Sequence, residues 1–132
     1  MVLELEYRGK VHDLSKLEDP EKAIFDEFTP KLKGCTYGSD EYKEFLKEMS
    51  VALDHHYKTN RHHPEHFENG ISGMDLIDLL EMLADWKGAS ERHADGDIIK
   101  SIEINSNRFG LSDQLAQIFI NTLKYFERAK RD

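Results

Sequence analysis

Apolar positions along the chain recur at steps of three and four, the spacing of one helix face, and they do so in separate blocks. Ile24, Phe25, Phe28 and Leu32 form the first block. Before it stands Asp19-Pro20-Glu21-Lys22, with a capping residue ahead of a Pro at the first helical position and an acid following. This predicts a helix over about 20–33, bent at Pro30. Gly34 to Ser39 reads as a loop, and Ser39-Asp40-Glu41 opens a second helix on which Tyr42, Phe45, Leu46, Met49 and Leu53 keep the period to about Tyr57. Residues 58–71 contain Pro64 and Gly70 and no apolar period, so they predict a long connection of the kind that more often carries function than structure. Ser72-Gly73-Met74-Asp75 has the capping-box spacing, and Leu76 to Trp86 is dense enough in Leu, Ile and Met for a largely buried central helix. Asp95 to about Asn107 carries Ile98, Ile99 and Ile102. After Gly110 a last helix places Leu115, Ile118, Phe119, Leu123 and Phe126 on one face. No pair of alternating segments flanks a hairpin turn, and there is no internal repeat or low-complexity tract. The expectation is an all-α single domain over residues 1–132 with five or six helices.

Composition narrows what such a bundle does. With 132 residues, the chain has room for one modest core. It should fold alone or as a small homo-oligomer. The 18 basic and 26 acidic residues give a net charge of −8, which disfavours a nucleic-acid partner because the general surface repels phosphate backbones. Cys35 is the only cysteine, which removes a disulfide framework and any multi-cysteine metal site and points to a reducing cytoplasm. No apolar run reaches the roughly 18 residues of a membrane span, and the N-terminus has acids where an export signal would be basic and then apolar. Neither an anchor nor a signal is expected. Cys35 lies in a Gly-flanked loop and no serine sits in a strand-turn-helix elbow, so nucleophilic catalysis has little support.

Three constellations carry chemistry. Five of the seven histidines, His55, His56, His62, His63 and His66, fall within twelve positions, where even placement would give about 0.6. A solvated polar tract explains this as readily as a site does. His56 nevertheless lies on the apolar face with Met49 and Leu53, and an inward imidazole beside others can bind a metal or a phosphate, or be a core histidine satisfied by one hydrogen bond. The second constellation is Asp75, Asp78, Glu81 and Asp85, at steps of 3, 3 and 4 along the central helix. They form either an ordinary solvent face or a seam with one acid, best placed at Asp85, turned toward a cation. The third is His12-Asp13-Leu14-Ser15-Lys16. On a helix the adjacent His12 and Asp13 diverge by about 100° and can flank one ion, with Lys16 a turn later to meet an anion. Mixed imidazole and carboxylate donors suit a divalent transition metal such as Mn, Fe, Co, Ni or Zn.

In this combination and order the residues resemble the HD-domain superfamily of metal-dependent phosphohydrolases, helical proteins with an ordered His, His-Asp and Asp ligand set and often a Lys shortly after the His-Asp. His12-Asp13-Leu14-Ser15-Lys16, then His55-His56 with His62-His63-Pro64-Glu65, then Met74-Asp75-Leu76 through Ala84-Asp85-Trp86 are similar to a family of small phage and bacterial HD-like proteins of unknown function. The similarity covers nearly the whole chain. It implies an HD-like bundle in which His12, Asp13, His55 and Asp85 hold the metal. Lys16, His56 and His63 then act in catalysis, while Lys16, His62, His63 and Asp78 contact the substrate, a nucleotide or other small phosphate ester. The chain departs from the pattern at one point: residues 1–11 hold no histidine and leave scarcely room for the helix that carries an upstream His ligand. A degenerate module that binds a nucleotide without turnover is the alternative, and a helical interaction protein whose histidines sense pH is a further one.

Overall fold

A computed structural model describes residues 1–36, 39–92 and 94–129. Among these the chain is helical throughout, with seven α-helices and three short 3₁₀ turns. The helices are α1 (Val2–Val11), α2 (Glu21–Lys33), α3 (Asp40–Glu48), α4 (Ser50–Thr59), α5 (Leu76–Glu91), α6 (Ile98–Phe109) and α7 (Asp113–Ala129). None is long and apolar enough to cross a membrane.

Two differences raise the helix number above the expected five or six. The N-terminal segment Val2–Val11 does form a helix, and no residue of it is buried. It therefore shows no core-facing stripe. Local terms support it instead: Glu6 and Lys10 pair at 3.3 Å, Glu4 and Arg8 at 4.0 Å, and basic residues close its last turn. The second helix of the expectation is interrupted at Met49, whose N–H is shared between the carbonyls of Phe45 and Lys47. Ser39 caps α3 as its sequence suggests, its hydroxyl accepting from the Tyr42 N–H at 3.2 Å.

The chain divides into two compact units, Met1–His66 and Phe67–Asp132. In the first, α2 packs on α4 and on the 3₁₀ turn Leu14–Leu17, with Phe28, Met49 and Ala52 as its buried apolar residues. Ala52 is fully buried on α4, and its single methyl permits close approach of a neighbouring helix. Asp19 receives the Ala23 N–H at 3.2 Å, although α2 begins at Glu21 with Pro20 in the capping position.

In the second unit α5 packs on α6 and α6 on α7 around Met82, Leu83, Ile102, Leu111, Phe119 and Leu123. Trp86 stacks parallel to Phe109 at 6.3 Å and meets Phe119 edge-on at 5.9 Å. The capping box of α5 sits three residues later than the Ser72 spacing suggests. Asp75 accepts the Asp78 N–H at 2.8 Å and Asp78 accepts the Asp75 N–H at 3.1 Å, because Gly70–Gly73 forms a 3₁₀ turn and Met74 is extended. α5 is also less buried than its composition suggests, since Leu76 in its first turn is 71% exposed. Asp97 caps α6 by accepting from Ile99 and Lys100, and Gly110, left-handed at φ 69°, ends it.

Candidate metal centre

The site lies in the first unit, where α1 ends. His12 is the capping residue after α1, and Asp13 follows in the left-handed region at φ 55°, which Asp tolerates better than most residues. The pair thus occupies a tight corner, not the helical turn on which the two would diverge by about 100°. Lys16, within the 3₁₀ turn that follows, places Nζ 2.8 Å from Asp13 Oδ2, and His12 Nε2 is 3.4 Å from the same oxygen. The other carboxylate oxygen of Asp13 is enclosed: Oδ1 is 3.4 Å from His56 Nε2 and 3.4 Å from His62 Nε2.

α4 and the loop after it supply the imidazoles. His56 is buried on the face it shares with Met49 and Ala52, so its apolar register does place it inward. Asn60 ends α4, its amide donating to the His56 carbonyl at 2.9 Å and to the Ser15 hydroxyl at 2.8 Å, which ties the helix end to the turn carrying Lys16. The chain then reverses through Arg61 to His63, held by the His66 N–H to the His63 carbonyl at 2.9 Å and by His66 Nδ1 donating to the Tyr57 carbonyl at 2.9 Å. This brings His63 Nε2 to 2.9 Å from His56 Nε2 and sets the His62 and His63 rings 4.1 Å apart.

Beneath them lies a residue that the sequence reading passes over. Glu21, the first residue of α2, is fully buried, with Oε2 2.6 Å from His55 Nδ1 and Oε1 2.6 Å from His56 Nδ1. Burial by itself would raise its pKa, but hydrogen bonds from Ser15, His55 and His56 outweigh it and hold the carboxyl below the usual carboxylate range. Asp13 behaves alike: burial pushes it up, and the hydrogen bond and charge of Lys16, with His12 and His56 nearby, bring it down further. Both are carboxylates at neutral pH.

Asp13, His56, His62 and His63 each offer a donor atom within 4.8 Å of all the others, a grouping that can hold a metal ion. His12, Asp13 and His62 meet at the same spacing. Three of the six separations in the first grouping, His56 to His63 at 2.9 Å and Asp13 to His56 and to His62 at 3.4 Å each, suit ligands of one ion, since bonds of about 2.0–2.2 Å place ligand atoms about 2.9–3.5 Å apart in octahedral or tetrahedral geometry. A further observation bears on the fit. Asp13 Oδ1 is buried and accepts no hydrogen bond from any described residue. A buried carboxylate oxygen left in that state costs about 1–3 kcal/mol, and a cation among the imidazoles would satisfy it.

Of the residues singled out from sequence, His12, Asp13, Lys16, His56, His62 and His63 come together. His55 joins neither grouping; its Nδ1 is engaged by Glu21 and its side chain is 39% exposed. Asp78 lies in the second unit, fully buried in the capping box of α5, and Asp85 lies two turns further along that helix. Glu21 was missed because an acid in a first helical turn has an electrostatic explanation. Its phase was a usable signal, since Glu21, Phe25, Phe28 and Leu32 fall on one stripe.

Residues 1–125 match the model of a family of unknown function, DUF5662, and the chain belongs to that family. No curated protein and no solved structure matches it.

Proposed function

We propose that this member of the family is a metal-dependent phosphohydrolase acting on a nucleotide or similar small phosphate ester. The buried, unsatisfied Asp13 Oδ1 among histidine nitrogens is the observation that carries the metal, and the resemblance of the His12-Asp13…Lys16 motif to the HD superfamily carries the reaction. Asp13, His56, His62 and His63 would hold the ion, with His12 beside them. A divalent transition metal in such a site supplies Lewis acidity toward phosphoryl oxygen and a water that is nucleophilic near neutral pH.

The chain's own groups do the rest. Lys16, bound to Asp13 Oδ2 and 47% exposed, presents a fixed positive charge where a phosphate can approach from solvent. The Asp13 carboxylate orients that ammonium while keeping its second oxygen for the ion. His56, His62 and His63 supply the nitrogen donors, and α1 contains no histidine. That same absence favours a second reading, a module of this fold that binds a nucleotide and does not turn it over.

Elemental analysis of untagged protein, followed by a nucleotide and phosphate-ester hydrolysis screen with the metal found, tests both. About one equivalent of metal or more, lost together with activity in Asp13→Asn, supports the hydrolase. Metal with tight nucleotide binding and no turnover supports the module. A chain that retains no Mn, Fe, Co, Ni or Zn and is not stabilised by adding them refutes the metal centre.

A further inference from the structure

Glu21 reaches two consecutive histidines of α4 with its two oxygens, each at 2.6 Å from an Nδ1. A carboxylate only accepts, so each Nδ1 must bear the proton of that hydrogen bond. A neutral imidazole with its proton on Nδ1 has a bare lone pair on Nε2. For His56 that Nε2 is the atom 2.9 Å from His63 Nε2 and 3.4 Å from Asp13 Oδ1. We infer that Glu21 is a positioning residue: its buried carboxylate fixes the tautomer and ring orientation of His56 so that Nε2 is presented as a metal donor.

The surroundings are built for this. Glu21 is fully enclosed, and Ser15 also hydrogen-bonds to it, so neither oxygen is satisfied by water in place of the imidazoles. The Asn60 amide, which donates to Ser15 and to the His56 carbonyl, holds the helix end against the same carboxylate. Phe25, one turn after Glu21 on α2, meets the His56 ring edge-on at 6.1 Å and closes its flank. A core histidine needing a single hydrogen bond would not require a buried anion, which is costly to desolvate unless its charge is used. Carboxylate partners behind metal-ligating histidines typically change metal affinity 10–100-fold when removed.

The role rests on the metal reading for its purpose, and its test is arranged to fail separately. In the metal-free protein at about pH 8, long-range ¹H–¹⁵N spectra report which imidazole nitrogen is protonated, with His56 assigned by its absence in His56→Gln. The expected result is the Nδ1–H form for His56. The Nε2–H form overturns the inference and leaves the metal centre standing. In Glu21→Gln, one amide edge is a donor, so one of the two imidazoles faces an N–H and must change tautomer. Zn²⁺ affinity, measured by competition with a chromophoric chelator, is expected to fall 10–100-fold, whereas His55→Ala changes it less than about threefold. Wild-type affinity in folded Glu21→Gln and folded Glu21→Ala alike overturns the role, since the alanine leaves neither imidazole its acceptor. If either variant does not fold, the wild-type tautomer alone decides. If the wild type takes up no Zn²⁺, the metal centre falls, and the His56 tautomer still decides whether Glu21 sets it.

Discussion

Asp13→Asn separates a corner built for a ligand from one built for stability, because the two roles predict opposite signs. Asparagine keeps the shape of the side chain and tolerates the left-handed backbone at φ 55°. It removes the ion pair with Lys16, whose side chain is 47% exposed, a loss of about 0–1 kcal/mol. It also replaces the unsatisfied Oδ1 with a group that can donate to the neighbouring imidazole nitrogens, relieving about 1–3 kcal/mol. The metal-free variant is therefore expected to be as stable as the wild type or more stable, by about 0–3 kcal/mol. An unfolding entropy of about 2.1 cal/mol/K per residue gives about 0.28 kcal/mol/K for 132 residues, so the melting temperature rises by up to about 11 °C. Zinc at about a hundred times its Kd stabilises the wild type by about 2.7 kcal/mol, or about 10 °C, and about twice that if Met1–His66 melts alone. A roughly hundredfold weaker variant retains only about 0.4 kcal/mol, about 1.5 °C. Calorimetry with and without Zn²⁺ measures both numbers. A metal-free Asp13→Asn that melts several degrees below the wild type, or one that keeps the full zinc shift, refutes the reasoning.

Lys16→Ala should leave metal content unchanged while lowering kcat/KM on a phosphate ester about 10–150-fold, the worth of a charge-assisted contact of about 1.5–3 kcal/mol, as read by steady-state kinetics beside elemental analysis. Asp85→Ala tests the ligand that the acidic seam and the resemblance assign: metal per chain should drop, and unchanged metal content removes Asp85 from the set. Acid stability follows from the buried carboxylate. Glu21 is held below the ordinary glutamate value of about 4.3, so its stabilisation is complete above that value and is lost as pH falls through its lower folded value. Denaturant midpoints measured from pH 7 to pH 3 should show this loss below about pH 4 in the wild type and a smaller one in Glu21→Gln.

Of the helices that sequence revealed, all but α3 contain buried residues. α2, α6 and α7 carry apolar residues in phase, and tertiary burial of those stripes is what the pattern encodes. α1 escaped because none of its residues is buried; its support comes from pairs such as Glu6 and Lys10, which leave only a weak mark on an apolar pattern. Met49 kept the period of α3 into α4, so the interruption there, a matter of one shared N–H, has no compositional trace. Asp75 and Asp78 illustrate the reverse ambiguity. Their spacing fits a cation-facing seam and a capping box alike, and only the extended backbone at Met74 selects the cap.

The site was legible in its donors and illegible in its support. His12-Asp13, Lys16 and the histidines of 55–66 announce themselves by residue type, and the turn after Asn60 is what converts that cluster into converging nitrogen atoms. His55 and His56 are neighbours in sequence with equal claims, and the structure divides their work: both give Nδ1 to Glu21, but only His56 also reaches the ligand group. No count of histidines could make that division, because it depends on a carboxylate 34 residues away from His55 arriving under α4. The rule that follows for chains of this kind is physical. An acid that falls in phase with a helix's apolar stripe, as Glu21 does with Phe25 and Phe28, carries a desolvation cost that only an opposing donor can offset, so its partner is the place to look for the chemistry.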